Sequence, residues 1–381
     1  MSAAWDQILR LSGKSLKITG SEAIIDSKIT NTPGYESKPT IGNNFLIQSD
    51  NLIAVRYLLR NGFRDKIDLI YIDPPFYTGS RYYHRKGNQL DLAFQDIWSN
   101  QVTSYTNMIS PRLRLMKELI SSKGSIFVHL DWHIAHYVKV VMDSIFGIEN
   151  FRNEIIVKRG RKKNLQYQFH EVDRLHTSND IILWYSKNAA SKYSKPLVRA
   201  KLESKWMSFW SNTDRPTMRY KIFGVIPERG QWKWANERAK KAIHNYSTYL
   251  RKYDKKYSLE QYWRLTDKTL EFIRKRSSVK YPEYWIPPKT SRIIDNMWLD
   301  IESYNYSTGY GTEKHFSLLE RIIGLFSQPH AIVSDLFCGS GTSLLVAEKM
   351  GRRWVGCDSS EVAIKLVRER MGTAKYEFLI L

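Results

Sequence analysis

Cysteine is scarce in this chain of 381 residues: Cys338 and Cys357 are the only two. Two cysteines cannot build a disulfide framework, and they point to a reducing compartment. No apolar run approaches the roughly 18 uninterrupted residues of a membrane span. The first residues, MSAAWDQILRLSGKS, lack a basic stretch followed by an apolar core, so neither a span nor a secretory signal is expected. Acidic residues are in deficit, 38 against 59 Lys and Arg, which leaves a formal net charge of +21. Aromatics are not lacking: 13% of the chain, within 42% hydrophobic residues, excludes a disordered polybasic tail. At roughly 100–200 residues per domain, the length allows two or three packed units. The charge favours a polyanionic partner, a property that ribosomal, membrane-surface and DNA proteins share.

The excess charge is not spread evenly. Residues 1–150 balance at +3, residues 291–381 at −1, and residues 151–290 at +19. The middle stretch also holds seven of the twelve tryptophans, interleaved with bases in KWMSFW, RGQWKWANERAKK and RKYDKKYSLEQYWRL. Lys and Arg neutralise phosphates, whereas aromatic faces either stack on bases or pack a small core. Three segments follow, 1–150, 151–290 and 291–381, with the basic one set between two nearly neutral flanks.

The flanks read as alternating strands and helices. Strands are expected at 42–49, 66–73, 125–131, 153–159, 331–337 and 352–358. Helices are expected after Asp50 and at 111–124, 133–147, 313–327, 342–351 and 360–371, from apolar spacing and terminal glycines. Such alternation predicts an α/β fold with a largely parallel sheet.

Two motifs carry chemistry. Asp335-Leu336-Phe337-Cys338-Gly339-Ser340-Gly341-Thr342 lies between a strand and a helix, where a glycine-rich turn lets a nucleotide-like ligand approach the backbone. Asp358 ends the next strand, where an acid accepts hydrogen bonds from ribose hydroxyls. Position 344 is Leu, so the third glycine of a nicotinamide or flavin fingerprint is missing. The second motif, Asp73-Pro74-Pro75-Phe76, closes the apolar run KIDLIYID. Consecutive prolines fix a stiff extended turn. The Asp73 carboxylate, the Pro74 carbonyl and the Phe76 ring would suit a planar base with an exocyclic amine.

With these motifs the chain resembles the DNA amino-methyltransferases: DPPF matches their catalytic motif and DLFCGSGTS their S-adenosylmethionine turn. Catalytic motif, variable region and cofactor turn follow in the order of the circularly permuted β class. The chain looks closest to adenine-specific enzymes of restriction–modification systems, including type III modification subunits. Residues 124–159 and 317–326 are similar to that group as well, and the resemblance covers roughly 41–160 and 290–370. It implies a Rossmann-like methyltransferase fold with a mainly parallel seven-stranded sheet, interrupted by an inserted target-recognition domain at 151–290. It places Asp73, Pro74, Pro75 and Phe76 in the target-base pocket. Asp335, Phe337, Gly339 and Gly341 fall in the cofactor turn, Asp358 at the ribose and Asp50 at the cofactor adenine. Thr312 and Lys314 match a T-E-K segment at the methionine end, although the family's following Pro is here His315.

The resemblance implies site-specific methylation of adenine N6 in duplex DNA, the target being flipped out, in a cytoplasmic, nucleoid-associated prokaryotic enzyme. Partners would be double-stranded DNA and either a restriction subunit or a second copy, with no membrane. Within the family, Asp in the first motif position accompanies adenine and Ser accompanies cytosine, so N4-cytosine is the alternative. A non-catalytic DNA-binding subunit is the rival from another class, and RNA the rival substrate. C5-cytosine chemistry requires a Cys beside a Pro, which neither cysteine has. No metal is expected: His129, Asp131, His133 and His136 divide between a strand and a helix, so they do not converge as metal ligation requires. Residues 78–96 mix bases with aromatics and are expected to form a lid, with Arg81 and Arg85 on DNA.

Overall fold

The computed structural model describes residues 42–76, 102–159, 175–191, 195–304 and 313–381, with 171 and 193 and the backbone of 81–86 and 89–95. The chain divides into two compact units, one built from residues 1–194 and 295–381 and the other from 195–294.

In the first unit nine strands form one sheet. In chain order they are β1 (Phe45–Gln48), β2 (Ile67–Ile72), β3 (Ile120–Leu130), β4 (Phe151–Lys158), β5 (Asn179–Ser186), β6 (Met297–Glu302), β7 (Ile332–Asp335), β8 (Arg353–Asp358) and β9 (Glu377–Ile380). They lie side by side in the order β6-β4-β5-β3-β2-β7-β8-β1-β9. β5 runs antiparallel to both neighbours, and the other pairings are parallel. The sheet has two strands more than the expected seven. The domain boundary also falls at 195 rather than 151: β4 and β5 hydrogen-bond into the main sheet, so residues 151–194 belong to the first unit.

The α-helices among the described residues are α1 (Asn51–Arg60), α2 (Val102–Leu119), α3 (Ala135–Phe146), α4 (Asn236–Lys252), α5 (Leu259–Leu265), α6 (Phe316–Phe326), α7 (Thr342–Lys349) and α8 (Glu361–Met371). Ala54, Val55 and Leu58 of α1, Ile109, Leu113 and Met116 of α2, and Val138 and Met142 of α3 share one core with β1, β2 and β3. That spacing of three and four residues is one face of a helix, and burying it stabilises the sheet. α2 begins nine residues before Pro111, where the sequence suggested a start, and runs through it.

Four adjacent parallel strands, β2-β7-β8-β1, present their carboxyl ends along one edge. Asp73 follows β2, Asp335 ends β7, Asp358 ends β8 and Asp50 follows β1. Parallel order therefore brings together four acids spread from position 50 to position 358 of the sequence, on the edge where open α/β sheets bind ligands.

The second unit carries its own aromatic core. Phe209, Trp232 and Ile273 are fully buried, as is Phe272 beside Trp263 and Trp285. The Phe209 and Trp232 rings stack at 5.6 Å. Of the two roles left open for these aromatics, packing is the one taken by the buried set. Trp184 lies instead in β5, stacked on Phe127 at 5.5 Å. Residues 195–294 hold 24 Lys and Arg against nine Asp and Glu, and exposed Lys241, Lys252, Lys255 and Lys256 lie on and just beyond α4. Arg81–Lys86 and Gln89–Gln95 pair as antiparallel strands, whereas the Arg81 and Arg85 side chains and the rest of the lid expected at 78–96 lie outside the described residues. No described helix is long and apolar enough to cross a membrane.

Candidate active site

The glycine turn is built for close approach. Gly339 and Gly341 adopt φ of 46° and 76°, a left-handed region costly for any residue with a Cβ. At Gly341 an added Cβ would stand 2.7 Å from Val367 Cγ2. The turn is locked from both sides. The Phe337 N–H donates to Asp335 Oδ1 at 3.0 Å, and the Ser343 hydroxyl donates to Asp335 Oδ2. The Gly339 N–H donates to Asp358 Oδ2 and the Ser360 N–H to Asp358 Oδ1, each at 2.9 Å. Burial pushes the Asp335 carboxyl up to about 7 despite those hydrogen bonds, and burial raises Asp358 as well. Burial also pushes the Cys338 and Cys357 thiols up, which leaves them protonated and unreactive.

Asp50 caps α1, accepting from the Leu52 N–H at 2.8 Å. Its other oxygen pairs with Arg112 Nη2 at 2.6 Å. Arg112 Nε also donates to Asn51 Oδ1 at 2.5 Å, and Asn51 Nδ2 donates to the Leu336 carbonyl at 2.9 Å. One arginine on α2 thus fixes the β1–α1 turn against the β7 turn, a positioning role that the sequence reading missed.

A cavity of about 450 Å³ joins these turns. Asp50, Asp73, Pro74, Pro75, Phe76, Lys314, Asp335, Phe337, Gly339 and Asp358 are among the residues that line it. Of the site residues expected from sequence, Gly341 sits just behind the lining as the left-handed N-cap of α7. Thr312 lies outside the described residues. Lys314 belongs to the cavity, but its ammonium lies against the catalytic motif, with Nζ 2.8 Å from Asp73 Oδ2. His315, where the family carries Pro, is the N-cap of α6: its Nδ1 accepts from the Ser317 N–H at 3.2 Å. It turns to the helix and does not line the cavity.

Behind the DPPF turn stands a buried polar chain. Tyr71 OH lies 2.8 Å from His129 Nδ1, and His129 Nε2 lies 3.4 Å from Asp180 Oδ2. Arg159 Nε closes on Asp180 Oδ1 at 2.8 Å. Burial and the Lys314 ammonium hold the His129 imidazole low, hence neutral. Nδ1 then accepts from the tyrosine and Nε2–H faces the carboxylate. Burial works against Asp180, yet the His129 contact and the charges of Lys314 and Arg159 keep it below the usual range. The Phe76 ring rests against His129 at 5.9 Å. Asp131, beside this chain in sequence, accepts at 2.6 Å from His133 Nδ1. Among the described residues no group of three or more His, Cys, Asp or Glu is placed to hold a metal ion.

A mostly parallel sheet with an acid–proline–proline–aromatic turn and a glycine turn on neighbouring strand ends, around a nucleoside-sized cavity, defines an α/β methyltransferase site. The chain belongs to the N6_N4_Mtase family, DNA methylase, whose family model matches residues 67–369. It is similar to the type II methyltransferase M.EcaI of Enterobacter cloacae, 28% identical over 89% of this chain and 72% of the relative. It is also similar to the StyLTI Mod subunit, of a type III restriction-modification enzyme of Salmonella typhimurium, 26% identical over 79% of this chain and 49% of that subunit. The chain therefore spans about half the length of that Mod subunit. Among solved structures, the M1.HpyAVI–SAM complex aligns over 86% of this chain and 99% of that one, at 14% identity and a TM-score of 0.44. S-adenosylmethionine is the methyl donor of this family, and the cavity fits it. The volume is right for a nucleoside with an amino-acid arm, the turn glycines admit it, and Asp335, Asp358 and Lys314 are among the polar residues of the lining.

Proposed function

We propose that the chain methylates the N6 of an adenine flipped out of duplex DNA, within a restriction–modification system. The observation that carries this reading is the Asp73 carboxylate, only partly exposed on the cavity edge, with Oδ1 making no hydrogen bond among the described residues. It lines the same cavity as the Phe76 ring and the cofactor turn. Bound S-adenosylmethionine supplies an activated methyl on a sulfonium. The adenine amine is a weak nucleophile because its lone pair is delocalised into the ring. Asp73 and the Pro74 carbonyl would accept its two N–H bonds and orient its lone pair, and Asp73 would take the proton as the N–C bond forms and the methyl–sulfur bond breaks, leaving the cofactor as a neutral thioether. Phe76 offers a face for the flipped base. Such catalysis is positioning and electrostatics, without a covalent enzyme intermediate.

Asp as the first motif residue and the Mod-subunit relative support adenine over cytosine, and duplex DNA over RNA. The unit 195–294 supplies the phosphate grip that offsets unstacking of the target, which costs a few kcal/mol. A restriction subunit or a second copy of this chain is its protein partner. Methylation-sensitive sequencing of DNA from cells expressing the chain should show N6-methyladenine at one short sequence. Asp73→Ala should lower transfer at least about a hundredfold while cofactor binding persists. N4-methylcytosine, or methyl incorporated only into RNA, would replace the reading.

A further inference from the structure

Lys314 is 5% exposed, and its Nζ makes no aligned hydrogen bond among the described residues. It is held by charge and by ring faces. Asp73 Oδ2 lies 2.8 Å away, with the Phe76 centroid at 4.6 Å and the Tyr304 centroid at 4.3 Å. A carboxylate and an aromatic face are what the proposed reaction offers the target amine, which becomes cationic as it is methylated. A pocket that holds an ammonium is a pocket for that charge. The lysine and the amine therefore compete for the same place.

We propose that Lys314 is a movable counter-ion that links cofactor loading to opening of the base pocket. This rests on reading the cavity as the S-adenosylmethionine site. Without cofactor, Lys314 neutralises Asp73 and covers Phe76, so the base pocket is blocked by the protein's own amine. The side chain lines the same cavity as Asp335, Ser340 and Thr342. There the carboxylate of the cofactor's amino-acid arm would offer a second anion. Turning to it, Lys314 releases Asp73 and Phe76 together. The base is then received only when a methyl donor is present, which avoids unproductive flipping.

Calorimetry on the whole chain separates this from a fixed ion pair. The probes are sinefungin, which keeps the amino-acid arm, and methylthioadenosine, which lacks it. Asp73→Asn, by freeing the lysine, should tighten sinefungin at least about fivefold and leave methylthioadenosine unchanged. Lys314→Met should weaken sinefungin and erase the effect of Asp73→Asn. Should burial of an unpaired Lys314 unfold Asp73→Asn, the unmodified chain still decides. Saturation transfer to 9-methyladenine should then appear with sinefungin bound and not with methylthioadenosine. Unchanged or weaker sinefungin binding in Asp73→Asn, or equal transfer with both probes, would overturn the coupling. Binding of neither probe by the unmodified chain would overturn the cofactor reading and the coupling with it.

Discussion

Asp335 combines a structural duty with an unfavourable charge. Its oxygens accept from Phe337 and Ser343, yet burial raises its carboxyl to about 7. A carboxylate raised in the folded state binds its proton more tightly there than in the unfolded chain, so folding gains stability at low pH and loses it as pH climbs to the folded value. The margin of the native chain over Asp335→Asn should shrink by about 2 kcal/mol between pH 5.5 and 8, and denaturant titrations at both ends read it directly. A pH-independent margin would place the buried charge elsewhere. Gly341→Ala should cost about 1–3 kcal/mol, since Ala resists φ of 76° and its methyl meets Val367; a lower melting temperature with weaker sinefungin binding is the expected result. Much of this was legible residue by residue. DPPF and GSG announce themselves because each must be a turn of one shape. Lys314 was legible as a cavity residue but not as the partner of Asp73, because that pairing joins positions 241 apart in sequence.

Arg112 shows how one helix serves another element's end. From α2 it holds Asp50 and Asn51 at the start of α1. Arg112→Ala should raise the dissociation constant for sinefungin about tenfold, with a loss of roughly 1–3 kcal/mol in stability from the unpaired acid and amide. An affinity equal to that of the native chain would confine Arg112 to packing. The helices and strands of the two flanks were readable because their apolar periods are long and close on glycine. β5 was not: NDIILWYS is a short apolar run beside a basic tract, and such runs do not announce their sheet. β6 and β9 are likewise short and lie on the edges of the sheet, where half-exposed residues weaken the alternation. The charge balance set the boundary at 151, 44 residues before the division at 195, because β5 lay unread within the basic segment and the strand expected at 153–159 had no partner in view.

The whole molecule separates its charges by task. The catalytic unit takes the acids that line a cofactor cavity, and residues 195–294 hold 24 of the 59 bases against nine of the 38 acids. Replacing Lys241, Lys252 and Lys255 with Ala should weaken binding across all DNA sequences. It should also flatten the dependence of log K on log salt by about 0.9 for each phosphate that is no longer neutralised. Fluorescence anisotropy at two salt concentrations suffices, and an unchanged slope would remove this face from the DNA interface. The catalytic unit is assembled from two stretches of chain with the other unit between them, and this has a consequence in time. At about 5–20 residues per second on a ribosome, Asp73 emerges roughly 13 to 50 s before Asp335. During that wait β2 has β3 on one side and no β7 on the other. The intervening 100 residues, contiguous and with their own aromatic core, are free to fold first. A nascent chain halted after residue 294 should therefore protect the basic unit from protease while β2 is still cut, and the site becomes whole only with the last quarter of the sequence.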